Sequence, residues 1–133
     1  MESYTVKTFS ASATFGLQKG YTEEIIQLDV FKRALNKVQQ AIYEKEKIVL
    51  STKLSLCHII CLGQDEPSVT LDWIQYPKFQ MTEDKLKTAI LNLVNDLMLQ
   101  LEQNRVVVIF QDETICLELG SSISPRINLE QNK

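Results

Sequence analysis

The sequence predicts an α+β fold in which two helices cover one face of a four-stranded antiparallel sheet. Three observations support this prediction. Several segments alternate apolar and polar residues with the period of two that half-buried strands show. Two longer segments carry apolar residues at helical spacing, and the elements follow one another in the order β, α, β, β, α, β.

The first strand is predicted over residues 9–18, and a loop over residues 19–24 follows it. Small polar residues and apolar residues alternate through the strand. The apolar positions are Phe9, Ala11, Ala13, Phe15 and Leu17. The strand therefore buries one face and leaves the other face small and polar. Gly20 is the turn residue of the loop.

The first helix is predicted over residues 29–45, with Asp29 as its N-cap. Phe31, Leu35, Val38 and Ile42 form its apolar stripe, and Lys, Arg, Asn and Gln occupy the opposite side. This distribution is typical of an amphipathic helix at the surface of a domain.

Residues 48–62 and 68–76 are predicted as the two strands of a hairpin, joined by a turn over residues 63–67. A bulge or break is expected near Lys53, because the first of these strands is long. Pro77 ends the second strand, since proline cannot donate to a ladder. Asp65 and Glu66 are interpreted as solvated residues of the turn.

The second helix is predicted to begin at the N-cap Thr82 and to end near residues 103–104. Its buried stripe contains Leu86, Ile90, Leu93, Val94, Leu97, Met98 and Leu101. Residues 106–110 are predicted as a central strand. Residues 114–119 continue it as one bent strand or return as the second strand of a hairpin. Residues 1–119 thus form one predicted domain, followed by a polar tail over residues 120–133.

The element order has a compact solution in the ferredoxin-like arrangement. Together with the segment Ala-Thr-Phe-Gly-Leu-Gln at residues 13–18, this order resembles small ferredoxin-like proteins and, more distantly, PII-like regulators. The resemblance spans residues 9–118 and implies that fold and a tendency to oligomerise. The extended loop and the phosphate-binding basic residues that PII-like proteins often carry are not evident here.

Composition and charge exclude several classes of function. The net charge is −3 and the sequence pI is about 5.2, without the clustered basic residues that duplex nucleic acid requires. No apolar run is long enough for a membrane helix, and the start of the chain lacks a signal-peptide pattern. We therefore expect a cytoplasmic protein without nucleic-acid or membrane partners, in which Cys57, Cys61 and Cys116 are reduced thiols.

The candidate catalytic residues are His58 and Asp72. His58 is the single histidine of the chain, and its neighbour Cys57 points to the opposite face of a regular strand. A Cys-His dyad between them is therefore excluded, and a structural role for His58 is favoured. Asp72 shares a predicted strand face with Thr70, so it either solubilises an open sheet or requires a partner beneath a second subunit.

The predicted ligand contacts are Thr14, Gln18, Lys19, Tyr21, Asp72 and Tyr76. The loop after the first strand offers backbone donors, a lysine and an aromatic ring to a small anion. No Walker or dinucleotide-binding pattern is present, the cysteine spacing does not fit a zinc site, and we predict no metal and no cofactor.

The favoured function is a non-enzymatic binding or regulatory protein. It would act as a homo-oligomer through the open sheet face and would bind a small anionic or nucleotide-like ligand at a subunit interface. The apolar residues Ile59, Ile74 and Tyr76 on that face favour self-association. The alternative is a small enzyme that acts on a nucleotide or phosphorylated molecule at such an interface. A third hypothesis is an adaptor that binds a peptide by strand addition at a sheet edge.

Overall fold

The computed structural model describes residues 1–120, which form an α+β fold of two helices and a five-stranded antiparallel sheet. Residues 121–133 of the predicted tail lie outside this description. The elements are β1 (Ser10–Gly16), α1 (Leu28–Glu46), β2 (Lys53–Cys61), β3 (Gln64–Ile74), a short 3₁₀ turn (Pro77–Phe79), α2 (Glu83–Gln100), β4 (Arg105–Phe110) and β5 (Thr114–Glu118).

The described sheet contains five strands in the order β2-β3-β1-β4-β5, and not the four of the main prediction. The fifth strand exists because the chain reverses between Phe110 and Thr114 and β5 pairs antiparallel with β4. The amide of Phe110 donates to the carbonyl of Glu113 across this turn at 2.8 Å. Of the two alternatives for residues 105–119, the hairpin is therefore correct.

The turn between β2 and β3 is shorter than predicted. It consists of Leu62 and Gly63, which both have positive φ angles of 44° and 92°, as the tightest hairpin turns require. The predicted turn over residues 63–67 is therefore wrong, and Asp65 and Glu66 are strand residues opposite Ile60 and Ile59. Because side chains alternate along a strand, Glu66 extends from the sheet face opposite to that of Asp65.

The ends of the two helices agree in part with the ends that the sequence predicts. Thr82 caps α2 as predicted, since its side chain accepts from the amide of Lys85 at 3.2 Å. The N-cap of α1 is Gln27 and not Asp29, which lies inside the first turn and pairs with Arg33 at 3.4 Å. The predicted end of α2 near residues 103–104 is also too late, because the helix ends at Gln100.

The core lies between the helices and one face of the sheet. The inward residues of β1, β3 and β4 and the apolar stripes of both helices belong to one buried cluster. Phe15 of β1 and Phe31 of α1 meet edge to face, with ring centroids 5.5 Å apart, a favourable geometry for aromatic pairs. The outward positions of β1, β3 and β4 are mostly half-buried or exposed, so this face remains uncovered in the described chain.

None of the helices described for residues 1–120 combines the length and the apolar character that a membrane crossing demands.

Thr52 is a hydrogen-bonding hub before β2, and its replacement tests the packing of the core. Its hydroxyl accepts a hydrogen bond from the buried indole of Trp73 at 2.8 Å and one from the side-chain amide of Gln39 at 3.1 Å. We expect Thr52→Val to lower the free energy of unfolding by about 1–3 kcal/mol, because the indole donor loses its acceptor. Urea denaturation measures the change. The exposed Thr114→Val, which deletes the same hydroxyl, serves as control, and an equal loss in both variants would contradict the prediction.

Candidate functional site

The uncovered face of the sheet carries a stripe of small polar side chains. Ser12 of β1 is paired with Asp72 of β3, and Thr14 with Thr70. The hydroxyl oxygens of the two threonines lie 2.8 Å apart. The stripe follows from the alternation of β1, whose apolar residues are all turned toward the helices. The face is therefore smooth enough for a ligand or a partner to approach the backbone closely.

A cleft of about 330 Å³ lies on this face, between the β2–β3 hairpin, the loop after β1, and β4. Its volume falls at the lower end of the range of small-molecule sites. The lining residues are Ser12, Ala13, Thr14, Gly16, Gly20, Tyr21, Ile59, Gln64, Glu66, Gln103, Asn104, Arg105, Val106, Val107 and Ile109. Among these, Glu66 and Arg105 are the two charged residues.

The carboxylate of Glu66 lies directly over Gly16. A Cβ atom built on Gly16 would be 2.1 Å from the carboxylate oxygen Oε2 and 2.4 Å from the carboxyl carbon. Gly16 is not among the described residues with positive φ, so its backbone does not require glycine. A larger side chain at this position would meet the carboxylate, so the flexible side chain of Glu66 would have to move away. Gly16 thus creates the floor on which Glu66 rests.

The loop after β1 is fixed against the end of α2. The ammonium of Lys19 lies 3.3 Å from carboxylate oxygens of both Glu24 and Glu102. Hydrogen bonds to Glu24 and then to Glu102 raise the pKa of Lys19 above its ordinary value. The buried side chain of Gln103 donates to the carbonyl of Gln18 at 2.8 Å. These contacts define the position of Tyr21 at the cleft.

Asn104 connects this loop to the end of β5. Its amide nitrogen donates to the hydroxyl oxygen of Tyr21 at 3.1 Å and to the carbonyl of Gly120 at 3.3 Å. Both Asn104 and Tyr21 are half-buried and line the cleft. The aromatic ring and the amide therefore form one wall, opposite the β2–β3 hairpin.

Arg105 provides the positive charge of the cleft. Its Nε donates to the carboxylate of Glu118 on β5 at 2.6 Å, across a paired position of the two strands. This hydrogen bond is the main reason why the pKa of Arg105 is raised further above its ordinary value. The side chain of Arg105 is about one-third exposed, so it combines a fixed position with access from solvent.

Two of the six predicted ligand contacts line the cleft, namely Thr14 and Tyr21. The Lys19 ammonium is engaged by two carboxylates, and Gln18 is buried beneath the loop. The side-chain oxygen of Gln18 has no hydrogen-bond partner among the described residues. The ion pairs of Lys19 and the hydrogen bond to the Gln18 carbonyl therefore stabilise the loop from which Tyr21 reaches the cleft.

The remaining candidates lie outside the cleft. Asp72 lines a shallow depression of about 190 Å³ with Ser10, Ser12 and Gln111. The ring of Tyr76 stacks on Phe79 beyond the end of β3, with centroids 5.8 Å apart. The imidazole of His58 hydrogen-bonds Asp65 at 2.8 Å, and both side chains are mostly exposed. His58 and Asp72 therefore do not meet in one catalytic constellation.

Sequence reasoning missed Glu66, Asn104 and Arg105. The composition of residues 63–67 predicts a turn that includes Glu66, although the sequence also contains a signal for a strand. The even-numbered residues from Gln64 to Asp72 are all polar, while Val69, Leu71 and Trp73 are apolar. This alternation extends β3 back to Gln64 and gives Glu66 the same face as Thr70.

No group of three or more His, Cys, Asp and Glu residues in the described part of the chain is arranged to hold a metal ion. The cysteines Cys57, Cys61 and Cys116 are free thiols.

No protein-family model matches the sequence, and no curated protein matches it. Two solved structures are similar in fold. The first is a phage SAM lyase in complex with S-methyl-5′-thioadenosine, with a TM-score of 0.64, 20% identity, and coverage of 92% of this chain and 98% of that chain. The second is a phage SAM lyase in the apo state, with a TM-score of 0.63, 17% identity, and coverage of 86% and 92%.

A double-mutant cycle tests the contact between Gly16 and Glu66. In a Glu66→Ala background, we expect Gly16→Ala to stabilise the protein by about 0.5–1 kcal/mol, because alanine loses less backbone entropy in a strand. In the wild type the new methyl group meets the carboxylate, so that gain is reduced or reversed and the coupling energy exceeds about 0.5 kcal/mol. Chemical denaturation of the four proteins gives both values. A second cycle with Gly16→Ala and Asp65→Ala is the control, and its two changes in the free energy of unfolding should add. If the changes in the first cycle also add, the contact between residue 16 and Glu66 is refuted.

Proposed function

We propose that this chain is a lyase that binds S-adenosylmethionine (SAM) in the cleft over Gly16 and releases S-methyl-5′-thioadenosine. The observation that carries the proposal is the carboxylate of Glu66, which lies on the open sheet face inside a cleft of about 330 Å³. The similarity of the whole fold to two phage SAM lyase structures suggests the ligand class.

The charge of Glu66 suits a cationic ligand. SAM carries a permanent positive charge on its sulfonium sulfur and a second on its ammonium group. A carboxylate within a partly desolvated cleft attracts such charges more strongly than it would in water. Glu66 is the one acidic residue among the described residues that line the cleft. We therefore assign to Glu66 the contact with the charged end of the ligand.

The wall formed by Tyr21 and Asn104 suits the nucleoside. Aromatic side chains provide stacking surfaces for bases, and side-chain amides hydrogen-bond their edges. The amides of Gln64 and Gln103 add further donors and acceptors to the lining. The hydroxyl of Thr14 lies on the floor between these groups. Thr14 and Tyr21 thus contact the ligand in this proposal, while Gln18 and Lys19 fix the loop.

The lyase reaction needs no second substrate. The bond between the sulfonium sulfur and the methionine-derived chain breaks, and its electron pair neutralises the sulfur, which leaves as the thioether of S-methyl-5′-thioadenosine. In the same step the four-carbon chain either loses a proton from the adjacent carbon to a base and forms a double bond, or its own carboxylate attacks the carbon that the sulfur leaves and closes a lactone. Glu66 accepts the proton in the first route and balances the positive charge of the ligand in the second.

The second candidate function is binding without catalysis, as the sequence first indicated. One observation favours it. His58, the single histidine of the chain, pairs with Asp65 on the exposed hairpin and contributes no acid or base to the cleft. In that function the cleft would bind the nucleoside and return it unchanged.

We further propose a homo-oligomer through the open sheet face, built on the predicted ferredoxin-like arrangement. The order β2-β3-β1-β4 of the first four strands, with β5 added beside β4, supports this arrangement. Ile59, Ile74, Val107 and Ile109 are 40–59% exposed on the open face, and their burial between copies would release apolar surface from water. Asp72 and Tyr76 remain predicted ligand contacts, at the interface between subunits.

Incubation of the purified protein with SAM tests the activity. We expect S-methyl-5′-thioadenosine to accumulate in liquid chromatography–mass spectrometry, and the four-carbon product to distinguish elimination from lactone formation. Glu66→Gln should lower the rate roughly 100-fold or more, as the loss of a proton acceptor or of a charge contact in a cleft does. Asp65→Asn is the matched control, since Asp65 is adjacent but lies on the opposite face. Binding without product would favour the second candidate, and absence of binding would overturn both.

Native mass spectrometry tests the assembly. We expect a multimer at micromolar concentration, because the exposed isoleucines and valine are apolar surface that association would bury. Ile109→Lys should shift the population toward the monomer, since the interface would have to desolvate an unpaired charge. Val30→Lys is the control, because Val30 is similarly exposed but lies on α1. A monomeric wild-type protein would contradict the proposal.

A further inference from the structure

We infer that Arg105 selects ligands that carry a carboxylate, and that Glu118 weakens this selection by competing for the same guanidinium. The inference rests on the proposed function and assigns the amino-acid end of the ligand to a residue. It makes Arg105 a specificity-determining residue for the cleft.

The placement of the two charges in the cleft supports the inference. Glu66 on β3 and Arg105 on β4 extend from strands that flank β1 on its two sides. Strands two positions apart in a sheet are roughly 10 Å apart, and long side chains from both can reach toward the floor between them. The lining thus contains one negative and one positive side chain, which come from the strands on either side of β1.

The chemistry of the ligand matches this distribution. The amino-acid end of SAM has a positive ammonium and a negative carboxylate, and its sulfonium is positive. A site with a single carboxylate would leave the carboxylate of the ligand without a partner, at a considerable desolvation cost. Arginine is the side chain best suited to bind a carboxylate, because its planar guanidinium offers paired donors. S-methyl-5′-thioadenosine lacks the amino-acid end and makes no use of such a residue.

Glu118 weakens the proposed contact between Arg105 and the carboxylate of the ligand. Its carboxylate accepts from the Nε of Arg105 at 2.6 Å, so the guanidinium is fixed in position before a ligand arrives. The same pairing partly neutralises the arginine and reduces its attraction for a second carboxylate. Removal of the Glu118 charge should therefore strengthen the binding of carboxylate ligands, and it should not strengthen the binding of ligands without a carboxylate.

Calorimetric titration with three thioethers tests the inference without turnover. S-adenosylhomocysteine carries the carboxylate and the ammonium, S-adenosyl-3-thiopropylamine carries the ammonium alone, and S-methyl-5′-thioadenosine carries neither. We expect Arg105→Gln to lower the affinity for S-adenosylhomocysteine about 10- to 100-fold, because the variant loses a charge-assisted hydrogen bond to the ligand. The affinity for the uncharged S-methyl-5′-thioadenosine should stay unchanged, and that for S-adenosyl-3-thiopropylamine should not fall, because the arginine repels its ammonium. Arg33→Gln on α1 is the control, because Arg33 is exposed and pairs with Asp29 of its own helix.

The Glu118→Gln variant separates this effect from a loss of folding. It should increase the affinity for S-adenosylhomocysteine alone, and a misfolded protein would not bind any ligand more tightly. Equal effects of Arg105→Gln on all three ligands, or no effect on any, would overturn the inference while leaving the proposed function intact. A wild-type protein that binds none of the three would instead overturn the proposed function, and the inference with it.

Discussion

The register of the β2–β3 hairpin is the constraint on which the site depends. The turn at Leu62 and Gly63 uses two residues, both with positive φ, and this length fixes which residues of the two strands are paired. A shift of one residue would exchange the faces of β3. Glu66 would then leave the cleft, and Val69, Leu71 and Trp73 would leave the core. Core packing and the position of the candidate functional carboxylate therefore depend on the same turn.

The two faces of the sheet have different roles because β1 separates them. On one side Phe15 and its apolar neighbours pack against the helices. On the other side Thr14 and Gly16 are small enough to leave a depression, which the hairpin and the loop after β1 extend into a cleft. The depression thus results from residue size along one strand, and not from a pocket within the core.

The cleft has no sequence motif because its residues come from distant parts of the chain. Tyr21 follows β1, Glu66 belongs to β3, Asn104 precedes β4, and Arg105 is the first residue of β4. Their spacing in sequence is set largely by the lengths of α1 and α2, which cover the other face of the sheet. Such a site becomes visible when the strand order is known.

The sequence by itself determined the two helices, the alternating strands and the cap at Thr82, because these features depend on contacts between residues near one another in the chain. It also indicated Thr14 and Tyr21, through the polar face of β1 and the loop that follows. It did not determine the fifth strand, the two-residue turn or the N-cap at Gln27. Only the tertiary structure decided that Glu66 lies over Gly16 and that Arg105 faces the same cleft, because strand pairing brings together residues that are far apart in sequence and local periodicity does not specify which strands pair.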